Sequence, residues 1–259
     1  MSKLGFAGGR SDRYPTAFSA EDFRANVTAV RTRIDAAAER AGRDPREVRL
    51  LPVSKTVPTD RVRAAIGAGL RRLGENKVQE AVRKNRETAD LDVDWVIIGH
   101  LQTNKARDVA AFATEFQALD RLRVAEALDR RLQAAGRSLD VYVQVNTSAE
   151  DSKFGMPPQE VPAFLKALPA YASLRVRGLM TLALLTPDTA RVRECFALLR
   201  ALRDEARQET PDLIGDGELS MGMSGDYEIA VEEGATCVRV GQAIFGARAV
   251  PDSHYWPEG

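Results

Sequence analysis

The sequence predicts an α/β fold, a single-domain (β/α)8 barrel of the TIM type. Short apolar runs alternate with longer segments of helical period along most of the 259 residues. A strand followed by a helix, repeated, indicates parallel pairing, because parallel strands need a long crossover. Eight such units in this length fit a closed barrel better than an open sheet of similar rhythm, which is the alternative.

The first predicted element is a helix. Apolar residues recur at helical spacing from Phe23 to Ile34, Ser19 offers an N-cap, and Gly42 can end the helix. The residues before it lack the apolar run of a signal peptide. The predicted boundaries are a flexible leader at 1–19, the barrel at 20–248 and a C-terminal tail at 249–259.

Eight apolar runs predict the strands, and several of them are apolar on both faces. That pattern is expected when helices cover one face of a strand and the barrel interior covers the other. The predicted strands are Arg49–Val53, Arg71–Gly74, Trp95–Ile98, Phe116–Leu119, Val141–Val145, Val176–Met180, Glu218–Met221 and Cys237–Val240. The predicted helices between them include Thr59–Ala68, Lys77–Glu87, Lys105–Ala113, Arg121–Ala135, Pro158–Leu168 and Asp188–Arg207.

Composition limits the class of protein. Lys plus Arg and Asp plus Glu number 37 each, so the net charge is zero and no footprint for nucleic acid or a membrane surface is indicated. Cys195 and Cys237 lie far apart in apolar contexts, as expected for reduced core residues of a cytoplasmic protein. With two histidines and no CxxC motif, the sequence spells out no metal site.

Hydrogen-bonding residues follow most of the predicted strands. In a (β/α)8 barrel the chemistry lies where the strands end and the βα loops begin. Any one of these residues could be an ordinary turn former or helix cap, but their shared position at one rim favours a ligand site there. They are Lys55, Glu75, Asn76, His100, Gln102, Asn104, Asn146 and Thr181, with the segments SMGMSGD and VRVGQAIFG.

The last two segments favour a phosphate site, because the loops after strands seven and eight usually bind phosphate in this barrel. Ser224 and Gly225 open one helical segment, and Gly241 and Gln242 open another. N–H groups at helix starts suit an anion, and glycine lets a phosphate approach the backbone closely. Either motif alone is as well explained by a cap or a turn. Their occurrence after consecutive strands favours phosphate.

Arg239 is predicted to point into the barrel. It alternates with Val238 and Val240, whose side chains should face the helices. A buried guanidinium needs a partner, because an isolated buried charge is very costly. That partner is either a carboxylate such as Glu75, in a structural ion pair, or an acceptor atom on a ligand.

Lys55 directly follows the apolar run LLPV and Ser54. A lysine at a strand end, across from a phosphate site, is the arrangement for a Schiff base with a phosphorylated aldehyde. Partial burial and a nearby cation favour the neutral, nucleophilic amine. A surface lysine after a strand is the ordinary alternative, and the phosphate motifs together with Arg239 favour the Schiff base.

These residues together resemble the pyridoxal phosphate homeostasis proteins, relatives of the N-terminal barrel of alanine racemase. The resemblance runs from about Phe23 to Arg248 and implies an alanine racemase N-terminal-domain-like barrel. Its most specific segments, in order, are LLPVSKTVP, LGENKVQEA, IIGHLQTNK, VNTSAEDSKFG, RGLMTL and MGMSGDYEIAVEEGATCVRVGQAIFGAR.

The resemblance implies pyridoxal 5'-phosphate (PLP) as the cofactor, carried by Lys55 as an internal aldimine. It implies that Ser224, Gly241 and Gln242 hold the phosphate and that Arg239 faces the pyridine nitrogen. The residues implied to line the cofactor pocket are Asn76, His100, Asn146 and Met223.

Four positions bear on how far the resemblance extends. Lys153 matches a family lysine near the cofactor, which implies a role in moving it on or off. Thr56 and Val57 stand where some members have a second lysine, and Val96 replaces a histidine often found after the tryptophan. The terminal AVPDSHYWPEG lacks the basic end of some members. Roles that depend on those missing groups do not transfer.

The implied chemistry favours a carrier over an enzyme. An arginine can only donate to the pyridine nitrogen, which leaves the ring a weaker electron sink. A racemase needs a second acid or base, which in alanine racemases is a tyrosine of an additional domain. The chain ends soon after the last predicted strand, and Tyr227 and Tyr255 lie in no matching context.

The sequence therefore predicts a cytoplasmic PLP-binding protein without appreciable turnover. It would take part in PLP (vitamin B6) homeostasis by buffering the cofactor or delivering it to PLP-dependent apoenzymes. Two alternatives stay open: a slow enzyme of the amino-acid racemase type, and a Schiff-base aldolase that binds a phosphorylated sugar directly through Lys55.

Overall fold

The structure, a computed structural model, describes residues 14–150 and 153–247. Within them, strands alternate with helices. The strands are β1 (Arg49–Pro52), β2 (Arg72–Glu75), β3 (Asp94–Ile97), β4 (Glu115–Leu119), β5 (Leu139–Gln144), β6 (Leu174–Met180), β7 (Glu218–Ser220) and β8 (Cys237–Val240). The helices are α1 (Ala20–Arg40), α2 (Thr59–Gly67), α3 (Val78–Glu87), α4 (Ala106–Phe112), α5 (Leu122–Ala134), α6 (Val161–Ala167), α7 (Thr189–Glu209), α8 (Tyr227–Glu232) and α9 (Gln242–Phe245).

The strands form one parallel sheet that curls into a nearly closed barrel. Their order is β1-β8-β7-β6-β5-β4-β3-β2, so the first and last strands of the chain are neighbours. A parallel bridge between Val53 and Gly74 joins the two edges, and the Ser54 N–H donates to the Gly74 carbonyl at 3.0 Å. The predicted (β/α)8 barrel is confirmed, and the open sheet is wrong.

The predicted elements are all present, and the ends of the strands agree with the prediction to within two residues. The largest difference in type lies before α6, where Pro158–Glu160 forms a short 3-10 turn. Prolines at 158 and 162 suit the start of a helix, where their missing N–H groups would have no intrahelical acceptor. The α helix therefore begins later than its apolar pattern alone predicts.

The N-cap of α1 is a capping box. Ser19 Oγ accepts from the Asp22 N–H at 3.1 Å, and the Asp22 carboxylate accepts from the Ser19 N–H at 2.9 Å. Hydrogen bonds from the Ser19 and Phe18 N–H groups lower the pKa of Asp22. Before this cap, Tyr14 accepts at its carbonyl from the Ala247 N–H at 3.1 Å, so residues 14–19 run along the end of the barrel.

The remaining terminal segments cannot be compared with the prediction in the same way. Residues 1–13 of the predicted leader and the predicted tail at 249–259 lie outside the residues that the structure describes. None of the helices that it does describe is both long and apolar enough to span a bilayer. Cys195 and Cys237 are both buried free thiols, as predicted.

Most of the apolar core lies between the strands and the helices, and only a small cluster lies inside the barrel. The inner cluster consists of Leu51, Val96 and Cys237, with Ile98 packed against it. The rest of the interior carries polar side chains, including the buried Arg239. The mouth, by which we mean the rim formed by the carboxyl ends of the strands, is where the predicted site residues lie.

Candidate functional site

Lys55 lies just beyond β1, where the chain leaves the barrel wall. Leu51 belongs to the interior cluster and Val53 faces Gly74, and Lys55 stands two residues further on, in the turn that follows the strand. Its side chain is half-buried. The next residue, Thr56, has φ 66°, a left-handed conformation that β-branched residues rarely adopt. The backbone beside Lys55 is therefore held in an unusual conformation.

Arg239 points into the barrel, as alternation predicts. It is 3% exposed, and its Nη1 and Nη2 donate to Ser220 Oγ at 2.6 Å and to the Thr181 carbonyl at 2.7 Å. Both acceptors are neutral, and no carboxylate in the described part of the chain forms an ion pair with it. Burial lowers the pKa of Arg239, although an arginine remains a cation that can only donate.

Glu75 is not the partner of Arg239, so the structural ion pair considered from the sequence is wrong. A Cβ on Gly74 would lie 3.2 Å from Val53 Cγ2, so the inner face of β2 is the Gly74 side and Glu75 faces the helices. There its Oε1 accepts from Lys84 Nζ at 2.6 Å and from Ser54 Oγ at 2.7 Å. Burial raises the pKa of Glu75.

The actual partners of Arg239 continue as a chain of hydrogen bonds through the interior. Ser220 Oγ donates to Gln117 Oε1 at 2.7 Å, and Gln117 Nε2 donates to Glu115 Oε1 at 2.5 Å. Glu115 pairs with Arg49 at 3.1 Å near the opposite end of the barrel. Sequence reasoning missed this chain, although the polar Gln117 inside a strand was a visible signal.

His100 follows β3 and is engaged on both of its ring nitrogens. Arg121 Nη2 lies 3.0 Å from Nε2, and because a guanidinium only donates, Nε2 is the acceptor. Nδ1 then carries the proton and faces Asp120 Oδ2 at 3.5 Å. Burial and then the charge of Arg121 lower the pKa of His100. The ring also stacks on Phe154, with centroids 3.9 Å apart.

Asn76 follows β2 and lies in close contact with the end of β3. A Cβ on Gly99 would lie 2.0 Å from the Asn76 carbonyl oxygen and 2.5 Å from its Oδ1. Only glycine allows this approach. Asn76 is exposed at the mouth, one strand away from the segment that carries Lys55.

Asn146 follows β5 and organises its own loop. Its Nδ2 donates to the Glu150 carbonyl at 2.9 Å, and its Oδ1 accepts from the Ser148 N–H at 3.2 Å. Lys153, in the same loop, donates to the Ala183 carbonyl at 2.9 Å and pairs with Glu150. Lys153 therefore ties the loop after β5 to the loop after β6.

The segments after β7 and β8 meet at Ser224. Its Oγ accepts from the Gly241 N–H at 3.2 Å and from the Ala243 N–H at 3.5 Å. Gln242 begins α9, and Met223 donates its N–H to Asp226 at 2.5 Å. The sequence placed Ser224 at a helix start, whereas α8 begins at Tyr227 and a turn holds Ser224.

We call Ser224 Oγ and the N–H groups of Gly241 and Ala243 the cradle. The Lys55 segment lies beside it. The Val53 N–H donates to the Val240 carbonyl at 2.9 Å, so β1 and β8 run together to the mouth. A Cβ on Gly241 would lie 3.1 Å from the Val53 carbonyl oxygen. Backbone N–H groups, a serine hydroxyl, a buried guanidinium and a lysine thus lie at the ends of neighbouring strands. These groups fit an anionic ligand that also carries a ring acceptor and a carbonyl.

Comparison with known proteins agrees with this geometry. Residues 25–249 match the family model of the alanine racemase N-terminal domain. The chain is 45% identical over 223 residues to the pyridoxal phosphate homeostasis protein of Pseudomonas aeruginosa, covering 86% of this chain and 94% of that protein. It is 41% identical over 230 residues to the protein of the same name from Escherichia coli K12, covering 88% and 97%.

Solved structures of PipY and of an alanine racemase are also similar to this chain. PipY of Synechococcus elongatus PCC7942 with PLP bound has a TM-score of 0.76 at 36% identity, covering 86% of this chain and 100% of that chain. An alanine racemase from Streptomyces lavendulae has a TM-score of 0.70 at 19% identity, covering 92% and 61%. The second likeness is one of fold alone.

Proposed function

The chain belongs to the pyridoxal phosphate homeostasis protein family, and from that premise we propose that it holds PLP covalently on Lys55 and buffers or delivers the cofactor. Family membership confirms the resemblance read from the sequence. The covalent attachment, the roles of single residues and the absence of turnover are our proposals. The observation that carries them is the adjacency of the Lys55 segment to the Ser224–Gly241 cradle at the ends of neighbouring strands.

Lys55 is the proposed attachment point. When bound, PLP supplies an aldehyde that condenses with a primary amine and releases one water molecule. Lys55 would supply that amine from the turn just after β1, where it is half-buried. Lys84 is excluded as the amine, because its Nζ is fully buried and faces Ser54, Glu75 and Glu80.

The cradle after β7 and β8 is the proposed phosphate site. The Gly241 and Ala243 N–H groups converge on Ser224 Oγ, so three hydrogen-bonding groups lie together. Anions bind well where several backbone N–H groups converge and glycine leaves the backbone accessible. The remaining proposed contacts line the mouth; they are Asn76, His100, Asn146, Met223 and Gln242.

Arg239 supports a carrier, because a guanidinium can donate to a ring nitrogen but cannot accept its proton. Its present acceptors are the neutral groups of Ser220 and Thr181, and no carboxylate among residues 14–150 and 153–247 forms a salt bridge with it. Arg239 therefore holds a ring nitrogen in its unprotonated form. A ring bound in this way withdraws electrons weakly, which disfavours enzymatic turnover.

Three groups that could serve as a second acid or base are engaged elsewhere. Both nitrogens of His100 face Asp120 and Arg121. Tyr227 is 1% exposed, and Arg33 Cζ lies over its ring at 5.3 Å from the ring centroid. The Tyr142 hydroxyl donates to Glu218 deep in the barrel, and burial raises the pKa of Tyr142. These contacts favour the carrier over the racemase.

The decisive experiment is trapping of the cofactor. Apoprotein mixed with PLP is expected to gain visible absorption and, after borohydride reduction, to carry the cofactor on the peptide that contains Lys55. Lys55→Ala should stay folded and lose this label, whereas Lys166→Ala, an exposed lysine on α6, should keep it. A wild-type chain that stays colourless and unlabelled overturns the proposal.

Turnover assays with a panel of amino acids distinguish a PLP carrier from a racemase. The loaded protein is expected to show no racemisation or other turnover approaching ~1 per second, the lower range of ordinary enzymes. Turnover at that rate would replace the carrier with the racemase. Labelling of Lys55 by a phosphorylated sugar without PLP would instead support the aldolase.

The proposed setting is the cytoplasm, and the proposed recipients are PLP-dependent apoenzymes. The two buried free cysteines suit a reducing compartment. Delivery is tested by mixing loaded protein with an apoenzyme in the presence of an amine scavenger that removes free PLP. Reactivation that survives the scavenger supports direct delivery, and reactivation that the scavenger abolishes restricts the protein to buffering.

A further inference from the structure

A buried cluster of charged side chains holds the backbone on both sides of Lys55. Lys84, on α3, has a fully buried side chain, and its Nζ lies 2.6 Å from Glu75 Oε1 and 2.8 Å from Glu80 Oε1. The same Nζ donates to the Ser54 carbonyl at 2.7 Å. An ammonium has three N–H donors, so these three acceptors match its full capacity. We call Lys84, Glu75 and Glu80 the Lys84 cluster.

The Lys84 cluster contacts the residue before Lys55 through a side chain as well. Ser54 Oγ donates to Glu75 Oε1 at 2.7 Å, and Ser54 itself is fully buried. Ser54 is therefore held at its hydroxyl by Glu75 and at its carbonyl by Lys84. The peptide unit that leads into Lys55 cannot rotate without breaking a buried, charge-assisted hydrogen bond.

The residue after Lys55 is held by the other glutamate. The Thr56 N–H donates to Glu80 Oε1 at 2.8 Å, and Thr56 is the residue with φ 66°. A β-branched residue persists in this conformation only when its surroundings enforce it. Among the contacts of Thr56, the bond to Glu80 supplies such a constraint, and Lys84 in turn fixes Glu80.

The groups that the Lys84 cluster contacts distinguish a role in positioning Lys55 from a role in packing α3 against β2. A salt bridge that served only to attach α3 to β2 would need no bonds to the loop after β1, and apolar side chains could replace it. Here the Ser54 carbonyl, the Ser54 hydroxyl and the Thr56 N–H are the groups that the Lys84 cluster binds. All three lie within one residue of Lys55.

We propose that Lys84, with Glu75 and Glu80, is a positioning residue for Lys55. The Lys84 cluster fixes the backbone of residues 54–56 in the conformation that aims the Lys55 amine into the mouth. This inference deepens the proposed function and rests on Lys55 being the amine that binds PLP. Loss of the Lys84 cluster should slow covalent capture of PLP by Lys55. The cradle should stay intact, because it lies in the loops after β7 and β8.

A matched pair at position 80 tests the proposal. Glu80→Gln keeps an acceptor for the Thr56 N–H, whereas Glu80→Leu removes it. We expect Glu80→Leu to slow labelling of Lys55 by roughly tenfold to a hundredfold, the effect of misplacing a reacting group by about an ångström. Glu80→Gln should label at close to the wild-type rate. Glu87→Gln, which alters an exposed ion pair on the same helix, is the control.

Two measurements distinguish loss of Lys55 positioning from general disruption of the folded protein. Binding of a PLP analogue that lacks the aldehyde should be the same in Glu80→Leu and wild type. In the apoprotein, amide exchange at Thr56 should be slow in wild type and Glu80→Gln and fast in Glu80→Leu, and this measurement involves no cofactor. Equal labelling rates for Glu80→Leu and wild type, or fast Thr56 exchange in wild type, overturn the proposal.

A second variant keeps the test valid if Glu80→Leu does not fold. Lys84→Met combined with Glu75→Gln removes both members of the fully buried pair, so no charge is left unpaired between them. This double variant should fold and still label slowly, whereas labelling at the wild-type rate overturns the proposal. A wild-type protein that labels at no lysine is a different result, since it refutes the proposed function itself.

Discussion

Arg239 donates a hydrogen bond of 2.6 Å to Ser220 Oγ, so within the described residues this cation inside the barrel is held by neutral acceptors and not by a carboxylate. The hydroxyl in turn donates a hydrogen bond to Gln117 Oε1, and the chain of hydrogen bonds ends at Glu115 near the far end of the barrel. The guanidinium is thereby oriented by neutral groups, which do not cancel its charge.

Ser220→Ala is expected to destabilise the apoprotein. The substitution leaves Arg239 Nη1 and Gln117 Oε1 buried without their shared partner, and an unsatisfied buried polar group costs about 1–3 kcal/mol. Urea unfolding should show a lower midpoint with an unchanged slope. An unchanged midpoint would mean that water or a rearranged side chain replaces the hydroxyl.

Gly99→Ala is expected to disrupt the mouth between β2 and β3. The added Cβ would lie 2.0 Å from the Asn76 carbonyl oxygen, a backbone atom that cannot move aside easily. We expect a loss of about 1–3 kcal/mol in the free energy of unfolding, typical of overpacking. Gly67→Ala is the control, because nothing lies within 4 Å of its Cβ and alanine favours a helix. Equal midpoints for the two variants would contradict the prediction.

His100 is expected to titrate below the ordinary histidine value of 6.5, because burial and then Arg121 lower its pKa. In the unfolded chain the imidazole takes up its proton at higher pH. The contribution of His100 to stability is therefore fully present above 6.5 and lost as the pH falls through the folded pKa. His100→Asn should reduce this acid loss. An NMR titration checks the direction, and a folded pKa at or above 6.5 would contradict it.

Lys153→Met is expected to loosen the mouth without abolishing labelling of Lys55. The amine ties the loop after β5 to the Ala183 carbonyl after β6, and a net hydrogen bond is worth about 0.5–1.5 kcal/mol. Release of PLP from the loaded protein should therefore quicken a few-fold. Stopped-flow transfer to an amine trap measures the rate. Loss of the Lys55 label in this variant would instead give Lys153 a direct part in capture.

Much of this architecture follows from local sequence patterns. Most strands contain a short apolar run, and alternation within CVRV was enough to place Arg239 in the interior. The polar residues that follow the strands lie together at the mouth, because parallel strands in a barrel end at the same rim. Sequence spacing could therefore predict which residues gather there.

Long-range partners could not be predicted in the same way. Ser220 and Gln117 meet across the barrel although they lie far apart in the chain, and no local pattern couples them. The side of Glu75 was also ambiguous, because Gly74 carries no side chain that would reveal which face of LGE is apolar. Lys84 lies on a highly charged helix, and only the packing of α3 against β2 buries its side chain.

The pairing of β1 with β8 has a consequence for how the protein is made. Arg49 aligns with Cys237, so the wall beneath Lys55 consists of segments from opposite ends of the barrel sequence. Pairing two segments so far apart in the chain costs loop-closure entropy, and this cost precedes the favourable contacts between them. During synthesis, the amine-bearing segment therefore waits for the final strand to emerge from the ribosome. A nascent or truncated polypeptide without β8 has no completed barrel wall beside Lys55, so under the proposed function it would not capture PLP.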